Sequence, residues 1–542
     1  MISNPAEATP SRRDWFALAV LAVGLGLIVL DGTIVGVALP TIIGDLNLNL
    51  TDAQWVNSLY AVVLAALLLS TGNLADRWGR KRLFMAGIVV FMAGSLLAAV
   101  ASTAGMLIGA RAVQAVGAAF IMPSTLSTVN AVFRGKYRAA AFGVWGAVIS
   151  GAAAIGPLAG GALTQWVSWH WIFLVNLPLG VLVLTAAIFT IPETRGDQKR
   201  SGVDIVGALL SAIGFGSLVF AVIEGPSLGW LKPKNEIVIF GWVWNQDVTV
   251  SIVPVAFVIA TIAVVSFIVW EHHREKVQRA ALLDLSLFSF ATFSWGNLTA
   301  AMVSVGEFAI IFVLPLYLIN ALGLEVMGAG LVLAAMALGA FLSGASARFV
   351  AAKFGSPGTV LIGLGLEVIG VLVLALLTRA DTLGWITAIP LVVYGLGLGL
   401  ASAQLTGTIL RDIPVGMSGQ GSATQSTVRQ VGTALGTAFA GVSLSVALSF
   451  TFPKALSNAG ITGETADELA SAALQSAGTT ISELREQSVA SDLGDQTLAA
   501  VDALTIGFAE GTRWALLTAT VFLIFGFIGA LKVQRAARQP EH

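Results

Sequence analysis

The sequence predicts an all-α integral membrane protein with fourteen transmembrane helices. Three observations predict it. Apolar residues make up 56% of the 542 and charged residues only 11%. Apolar runs of spanning length recur to the C-terminus, and Lys and Arg collect in alternate loops between them. A soluble domain carries about 25% charged residues. A transmembrane β-barrel alternates polar with apolar residues along each strand. Both classes are excluded, and so is a disordered chain.

The spans read, in order, 15–43, 54–74, 82–102, 104–132, 137–164, 170–191, 203–225, 250–271, 290–320, 326–350, 358–379, 384–409, 420–450 and 511–533. The first run is long and no small-residue cleavage site closes it, so it reads as a retained span rather than a signal peptide. With an even count both ends lie on one side. Loops on that side hold 21 Lys and Arg, the opposite loops hold six, and Arg111 and Arg429 fall inside spans. Cytoplasmic loops collect positive charge, so both termini are expected in the cytoplasm of a multi-pass protein of the cell membrane. Trp15, Trp55, Trp166, Trp169, Trp171, Trp270, Trp385 and Trp514 sit at span ends, as an interfacial belt would.

Two outer segments are long. In 226–249 the clusters Ile237 to Phe240 and Trp242 to Trp244 flank Gly241 and suggest a small hairpin on the membrane surface. Residues 451–510 are rich in Ala, Ser, Asp and Glu. They read as a helical hairpin outside the membrane, the alternative being a flexible acidic loop. A worn internal repeat links the loop Gly72 to Arg82 with Gly344 to Arg348 and Lys353-Phe354-Gly355. If the loops correspond, spans 1–6 match spans 9–14 and spans 7–8 are an insert, the parallel-repeat plan of a secondary transporter. The expected units are a six-helix bundle in 1–200, two additional helices with their outer loop in 201–280, and a second six-helix bundle in 281–542 that includes the 451–510 hairpin.

Net charge is near −1, so no nucleic-acid partner is implied. Cys is zero and the four His lie outside the apolar runs. No metal, cofactor or intramembrane nucleophile–base set is therefore expected, and no enzyme activity. A phosphate-binding G-x4-G-K-[ST] loop is absent from the sequence.

Four motifs resemble the major facilitator superfamily, in its fourteen-span drug/proton antiporter branch of the EmrB/QacA type. Gly72 to Arg82 matches the superfamily's cytoplasmic signature G-x-L-A-D-R-x-G-R-K. Leu30-Asp31-Gly32-Thr33 through Pro40 resembles the first-span motif, with Gly36 where Asn is usual. Leu107 to Ala119 resembles the fourth-span motif through Arg111, Gln114 and Gly117, with Ala115 for a Gly. Gly156-Pro157-Leu158-Ala159-Gly160-Gly161 resembles the fifth-span antiporter motif. The resemblance implies the major facilitator fold, two six-helix bundles plus two inserted helices. It also implies proton-driven export of lipophilic, often cationic compounds by alternating access, without a cofactor. The alternative on the same fold is export of a native lipid or secondary metabolite. Small lipophilic substrates, protons and membrane lipids are the expected partners, and the chain is expected to be a monomer.

The residues support roles of their own. Gly72 and Gly79 allow a tight turn, and Asp76 can accept charge-assisted bonds from Arg77 or Arg80, a conformational latch rather than a merely topogenic loop. Asp31 lies about 24 Å along its helix from Trp15, and Arg111 lies about 12 Å below Thr103, so their depths overlap. An unpaired charge there is costly, so mutual pairing or a water-filled cavity is expected. Glu307 lies at similar depth. Asp31 and Glu307 are the candidate proton-exchanging carboxyls with Arg111 tuning Asp31, and a structural polar network is the alternative. Glu367 and Arg429 are lesser candidates, Arg429 being close enough to its span end to snorkel. Gly156 and Gly160 share one helix face that Pro157 can kink. Gly395 with Gly399 and Gly432 with Gly436 offer similar faces. Phe142, Trp145, Phe308, Phe312, Tyr317 and Tyr394 are the candidate walls of an apolar cavity, each alone being more often a lipid-facing or core residue.

Overall fold

A computed structural model describes residues 10–133, 136–195, 204–239, 242–277, 279, 281–414, 417–487 and 496–537; of some helical residues in these ranges, only the backbone. It is helical throughout except for one strand pair. Six helical elements form the N-terminal bundle: α1 (Arg12–Asp45), α2 (Leu50–Trp78), α3 (Arg80–Ala99), α4 (Ala104–Val132), α5 (Lys136–Trp166), and a sixth made of α6 (Trp171–Leu174) and α7 (Asn176–Thr190). Next comes an inserted pair, α8 (Ile205–Leu228) and α9 (Ile252–Lys276), and then the C-terminal half. This half contains α10 (Ala291–Leu316), α11 (Val326–Leu377), α12 (Gly384–Ile409), α13 (Ser418–Asn458), α14 (Glu464–Gln475), α15 (Thr479–Gln487) and α16 (Thr497–Ala536).

Twelve helices among the described residues are long and apolar enough to cross a membrane. One of them, α11, is two helical arms joined at Gly355, whose φ of 73° and ψ of 163° break the helical path. The spans that carry the lipid-exposed burden are apolar all round: Val258, Ile262 and Val265 on α9 are all more than half exposed. Such a surface is untenable in water and ordinary in hydrocarbon.

Local signals start the helices where the spans begin. Ser11 and Asp14 form a capping box at α1, Asp14 N–H donating to Ser11 Oγ at 3.3 Å and Ser11 N–H to Asp14 Oδ2 at 2.7 Å. Asn49 and Asp52 do the same at α2. The predicted hairpin in 226–249 is present as β1 (Ile237–Ile239) and β2 (Trp242–Trp244), antiparallel with Val238 opposite Val243; residues 240 and 241 lie outside the described residues.

The repeat seen in the sequence has a structural counterpart. Gly79 ends α2 at φ 112° as Gly355 ends the first arm of α11 at φ 73°, each after an exposed aromatic, Trp78 or Phe354. Glycine takes this backbone at little cost, and other residues do not. Gly156 and Gly160 of α5 lie on Thr33 and Ile34 of α1, while Gly432 and Gly436 of α13 lie on Ala301 and Val305 of α10. The close helix pairs of one half thus recur in the other.

The two halves share one continuous core at one end, and the α2–α13 seam carries contacts further along. The termini face holds the start of α1 and the end of α16, and the other end is the far face. At the far face α5 meets the first arm of α11. Gln165 Nε2 donates to Glu325 Oε2 at 2.6 Å, and Met327 N–H to Gln165 Oε1 at 2.8 Å. On the other side α2 meets α13, with Gln54 Nε2 donating to Ala438 O at 2.9 Å and Ser58 Oγ to Ala434 O at 3.3 Å. A continuous apolar core runs across both halves here, from Ile34 and Ile42 to Ile310, Leu316, Leu444 and Phe452. Toward the termini face each half has a separate core, around Phe84 and Phe91 in one and Phe293 and Leu405 in the other. The inserted α8 covers the α2–α13 seam through Val219, Val222 and Ile223, and Trp55 Nε1 donates to Glu224 Oε1 at 2.8 Å.

Residues 451–510 are helical where described, but not as a free-standing hairpin. The first residues continue α13, the last belong to α16, and α14 and α15 fold between them. Arg485 of α15 donates to the carbonyls of Asn320 and Ala321, both at 3.2 Å, in the helical turn that follows α10 at the far face. Burial lowers the pKa of this guanidinium, and the charge of Asp502 opposes that. The tryptophan belt is also only partial. Trp166, Trp385 and Trp514 are more than half exposed, whereas Trp55, Trp169 and Trp270 donate their indole N–H to Glu224, Asp45 and Asp204. A carboxylate partner draws the indole inward.

Candidate functional site

Asp31 is fully buried midway along α1 and forms an ion pair with Arg111 of α4, itself 1% exposed. Both oxygens of the carboxylate are engaged. Its Oδ2 takes the guanidinium, and Oδ1 accepts from Gln114 Nε2 and from Asn176 Nδ2, both at 3.0 Å. Ser95 Oγ of α3 accepts from the same two amides at 2.8 and 3.2 Å. Arg111 is held in turn by Gln114 Oε1 at 2.8 Å and Val56 O at 3.3 Å, and its Cζ stands 4.3 Å over the Tyr60 ring. Five helical elements of the N-terminal bundle converge on one charge pair. In low dielectric a pair with so many hydrogen bonds is held rigidly, and losing either charge is felt by the whole set.

The sequence reading paired Asp31 with Arg111 but did not single out Ser95, Tyr60 and Asn176. Asn176 had a faint signal. It stands at the α6–α7 break beside Pro178, where the missing N–H interrupts the helix ladder. Ser95 and Tyr60 carry no signal, because one serine or tyrosine in an apolar span looks like any other.

Glu307 does not join Asp31. It belongs to a second charged set within the C-terminal half. Glu307 of α10 and Glu367 of α11 repel one another, and both are attracted to Arg429 of α13. Glu367 is fully buried, and neither of its carboxyl oxygens has a hydrogen-bond partner among the described residues; one Glu307 oxygen and the Tyr394 hydroxyl are in the same condition. Arg429 is half-buried and lines a small recess with Ser304, Ser402 and Thr406. Unpartnered buried polar atoms are rare and mark a place where a proton, water or ligand completes the set.

The turn at Gly79 is braced inside its own bundle. Arg80 N–H donates to Thr194 O at 3.0 Å, Lys81 N–H to Glu193 Oε1 at 3.1 Å, and the Arg80 guanidinium to Ser127 O at 3.0 Å. Arg82 pairs with Glu193 at 3.7 Å. Glu193 is the anionic partner that the sequence reading missed. The side chain of Asp76 lies outside the described residues, as do those of Phe142 and Trp145. Gly72 faces Pro123 of α4, and Arg77 is at the α2 terminus.

Gly156 and Gly160 let α5 lie against α1; a Cβ at Gly160 would stand 2.8 Å from Ile34 O. Gly161 turns to the other half instead, where a Cβ would meet Met327 Cα at 3.0 Å. Pro157 O lies 2.6 Å from where Gly330 would carry a Cβ. The expected cavity walls are corrected in part. Phe312, Tyr317 and Tyr394 are buried in the shared far-face core, because the halves are closed together there. Tyr317 Oη donates to Arg379 O at 2.7 Å, and among the candidates whose side chains are described only Phe308 is left partly exposed.

The family pattern described as Major Facilitator Superfamily matches residues 21–437. The chain is similar to the methylenomycin A resistance protein of Bacillus subtilis, 31% identical over 81% of this chain and 90% of that one. It is also similar to the multidrug efflux pump LfrA of Mycolicibacterium smegmatis, 32% identical over 81% and 84% of the two chains. Among solved structures it resembles a bacterial homologue of the human lysosomal transporter Spinster in an inward-facing and unoccupied conformation. That match has a TM-score of 0.62 and 17% identity, and it covers 98% of this chain and 100% of the other.

Proposed function

The chain belongs to the Major Facilitator Superfamily, a family of membrane transporters, and from that premise we propose that it is a proton-coupled antiporter that exports lipophilic, often cationic compounds. The observation that carries the reading is the buried Asp31–Arg111 pair in a bundle that shares a continuous core with its partner bundle at the far face. A carboxyl that exchanges its arginine for a proton changes the charge of the bundle interior. Rocking of the halves then exposes it to one side or the other. The relatives named for multidrug efflux and antibiotic resistance support the export direction. A second reading, export of a single metabolite, is favoured by the relative named for methylenomycin A resistance.

Counting the two arms of α11 separately and adding α5 gives fourteen spans, in the EmrB/QacA manner. The charge bias of the loops places the termini face in the cytoplasm of a cell-membrane protein. The protein is then closed to the outside in this conformation. Because the chain has no native Cys, Ser201→Cys and Ser418→Cys are expected to resist an impermeant thiol reagent in whole cells, and Ser471→Cys to react. The opposite pattern inverts the assignment.

Glu307, Glu367 and Arg429 form the proposed cation-sensing wall of the substrate path, with one net negative charge when all three are ionised. Efflux of a cationic and a neutral dye from proteoliposomes under an imposed pH gradient, with proton flux recorded in parallel, tests the reading. Glu307→Gln is expected to slow the cationic dye roughly tenfold and the neutral dye little, as loss of one charge contact predicts. Dye movement with no proton flux would sink antiport. Equal slowing of both dyes would remove Glu307 from the cation path.

A further inference from the structure

A second carboxyl pair lies at the termini-face end of the inserted helices, away from both charged sets above. Asp204 caps α8, accepting from Gly207 N–H at 2.8 Å, and pairs with Arg274 of α9 at 2.9 Å. The Trp270 indole donates to the same carboxylate at 2.9 Å. Glu271, on α9, is fully buried beside it. Its Oε2 accepts from the backbone N–H groups of Leu282 and Leu283, at 2.7 and 3.1 Å, and so ties down the segment that leads into α10. Its Oε1 is enclosed and has no donor among the described residues.

That oxygen faces Asp204. A Cβ at Gly207 would stand 2.4 Å from Glu271 Oε1 and 2.9 Å from Asp204 Oδ2, so both carboxyls lie over one glycine and reach each other. Two carboxylates in contact repel, and one guanidinium neutralises only one of them. Two carboxyl oxygens make a hydrogen bond only when one holds a proton. We infer that Asp204 and Glu271 share a single proton, and that this proton fastens the inserted helix pair to the linker into the C-terminal half.

The junction matters because of what packs on it. Leu282 and Leu283 form one apolar cluster with Phe267, Ala208 and Leu210 of the insert, Leu69 of α2 and Ala423 of α13. The linker therefore touches both halves at the face where their cores are otherwise separate. The α2 and α13 contacts to this cluster are apolar. Among the described residues the charged groups around the pair are Arg274, Glu275 one turn on from Glu271 and, on the linker, Asp284, whose carboxylate is occupied by Ser286. His272, His273, Lys276 and Arg279 are exposed at the α9 end and in the loop beyond. The sign of the effect follows. Below the titration of the pair the junction is closed. As pH rises the proton leaves, the two carboxylates repel, and the α8 start and α9 end part.

The test uses the purified full-length chain in detergent, without substrate or gradient, so that it stands apart from the transport reading. A nitroxide is attached at Ala281→Cys, a buried linker position in a chain with no other thiol. The mobile fraction of its spectrum is expected to rise roughly twofold or more between about pH 6 and pH 9. Glu271→Gln, whose amide can donate to Asp204 while its oxygen still accepts from the linker, is expected to hold the low-pH spectrum throughout. Asp204→Asn serves as an independent second variant and is expected to be equally flat. A pH-insensitive parent, or a variant pair that responds as the parent does, overturns the shared proton. A spectrum that changes with sodium against choline at fixed pH overturns it in favour of a bound cation.

Discussion

Asp31→Asn is expected to abolish proton-coupled efflux. An amide cannot take up and release a proton in the working range, so the coupling step is lost even if substrate still binds. The change also has a structural cost, and the two effects must be separated. The oxygen of the introduced amide still accepts from Gln114 and Asn176, but its NH2 group meets the Arg111 guanidinium, and two donors face each other across a buried contact. Arg111 keeps Gln114 Oε1, Val56 O and the Tyr60 ring, but no counter-charge. Breaking a buried pair by removing one partner costs about 3–5 kcal/mol. The thermal midpoint should therefore fall. Arg111→Gln alone should be milder, because Asp31 can relieve its isolation by taking up a proton. The double variant, Asp31→Asn with Arg111→Gln, should recover much of the lost stability, since no uncompensated charge remains. It should not recover coupled transport. Efflux with parallel proton flux, set beside thermal unfolding for the three variants, reads both. Near-normal coupling in Asp31→Asn would leave the pair as scaffold only.

Gly330→Leu is expected to force the far face open. The position faces Pro157 O at 2.6 Å from the Cβ it lacks, so no side chain fits without moving α5 from α11. Gly161→Leu acts from the other side of the same contact, against Met327 Cα. Separating the helices also strains the hydrogen bonds of Gln165 to Glu325 and Met327. Overpacking of this kind costs about 1–3 kcal/mol in the conformation that contains the contact. That is enough to shift a two-state equilibrium by roughly five- to a hundredfold. A conformation in which the far face is already open is not penalised. Gly156→Leu and Gly160→Leu are the controls, because they push α5 from α1 inside one bundle and should unfold rather than bias the protein. The measurement is thiol labelling of Thr33→Cys from the far face, in the parent and in the Gly330→Leu background. Faster labelling in the variant, with the fold retained, is the expected result. Unchanged labelling would show that this seam is not the closure.

Much of this architecture was legible before any coordinate. Spans, loops and the parallel repeat follow from apolar periodicity and the placement of Lys and Arg, because hydrocarbon leaves the chain few alternatives to long helices. The Gly79 and Gly355 turns were readable as a repeat because glycine is the residue that takes their backbone cheaply. The capping boxes at Ser11 and Asn49 are equally local signals, though the sequence reading did not single them out. The 451–510 segment shows where local reading stops. Its composition indicated helix, but the run of α13 and α16 through its ends depends on Phe452 and Phe508 packing together, 56 residues apart.

The sequence by itself determined the class of the protein, the order of its hydrophobic helices, and the rarity of charge inside them. Each of these rests on a cost counted per residue, paid in transfer from water to hydrocarbon. Only the tertiary structure decided the partners. It joined Asp31 to Arg111, Gln114 and Asn176, and it set Glu307 apart with Glu367 and Arg429 in the other half. It turned Tyr317 and Tyr394 from candidate cavity walls into core and brought Glu271 against Asp204. Depth along a helix follows from rise per residue, but the direction in which a side chain faces depends on how the helices are rotated against one another. That rotation is set by the sum of many small packing contacts spread along the chain, and no single motif records it.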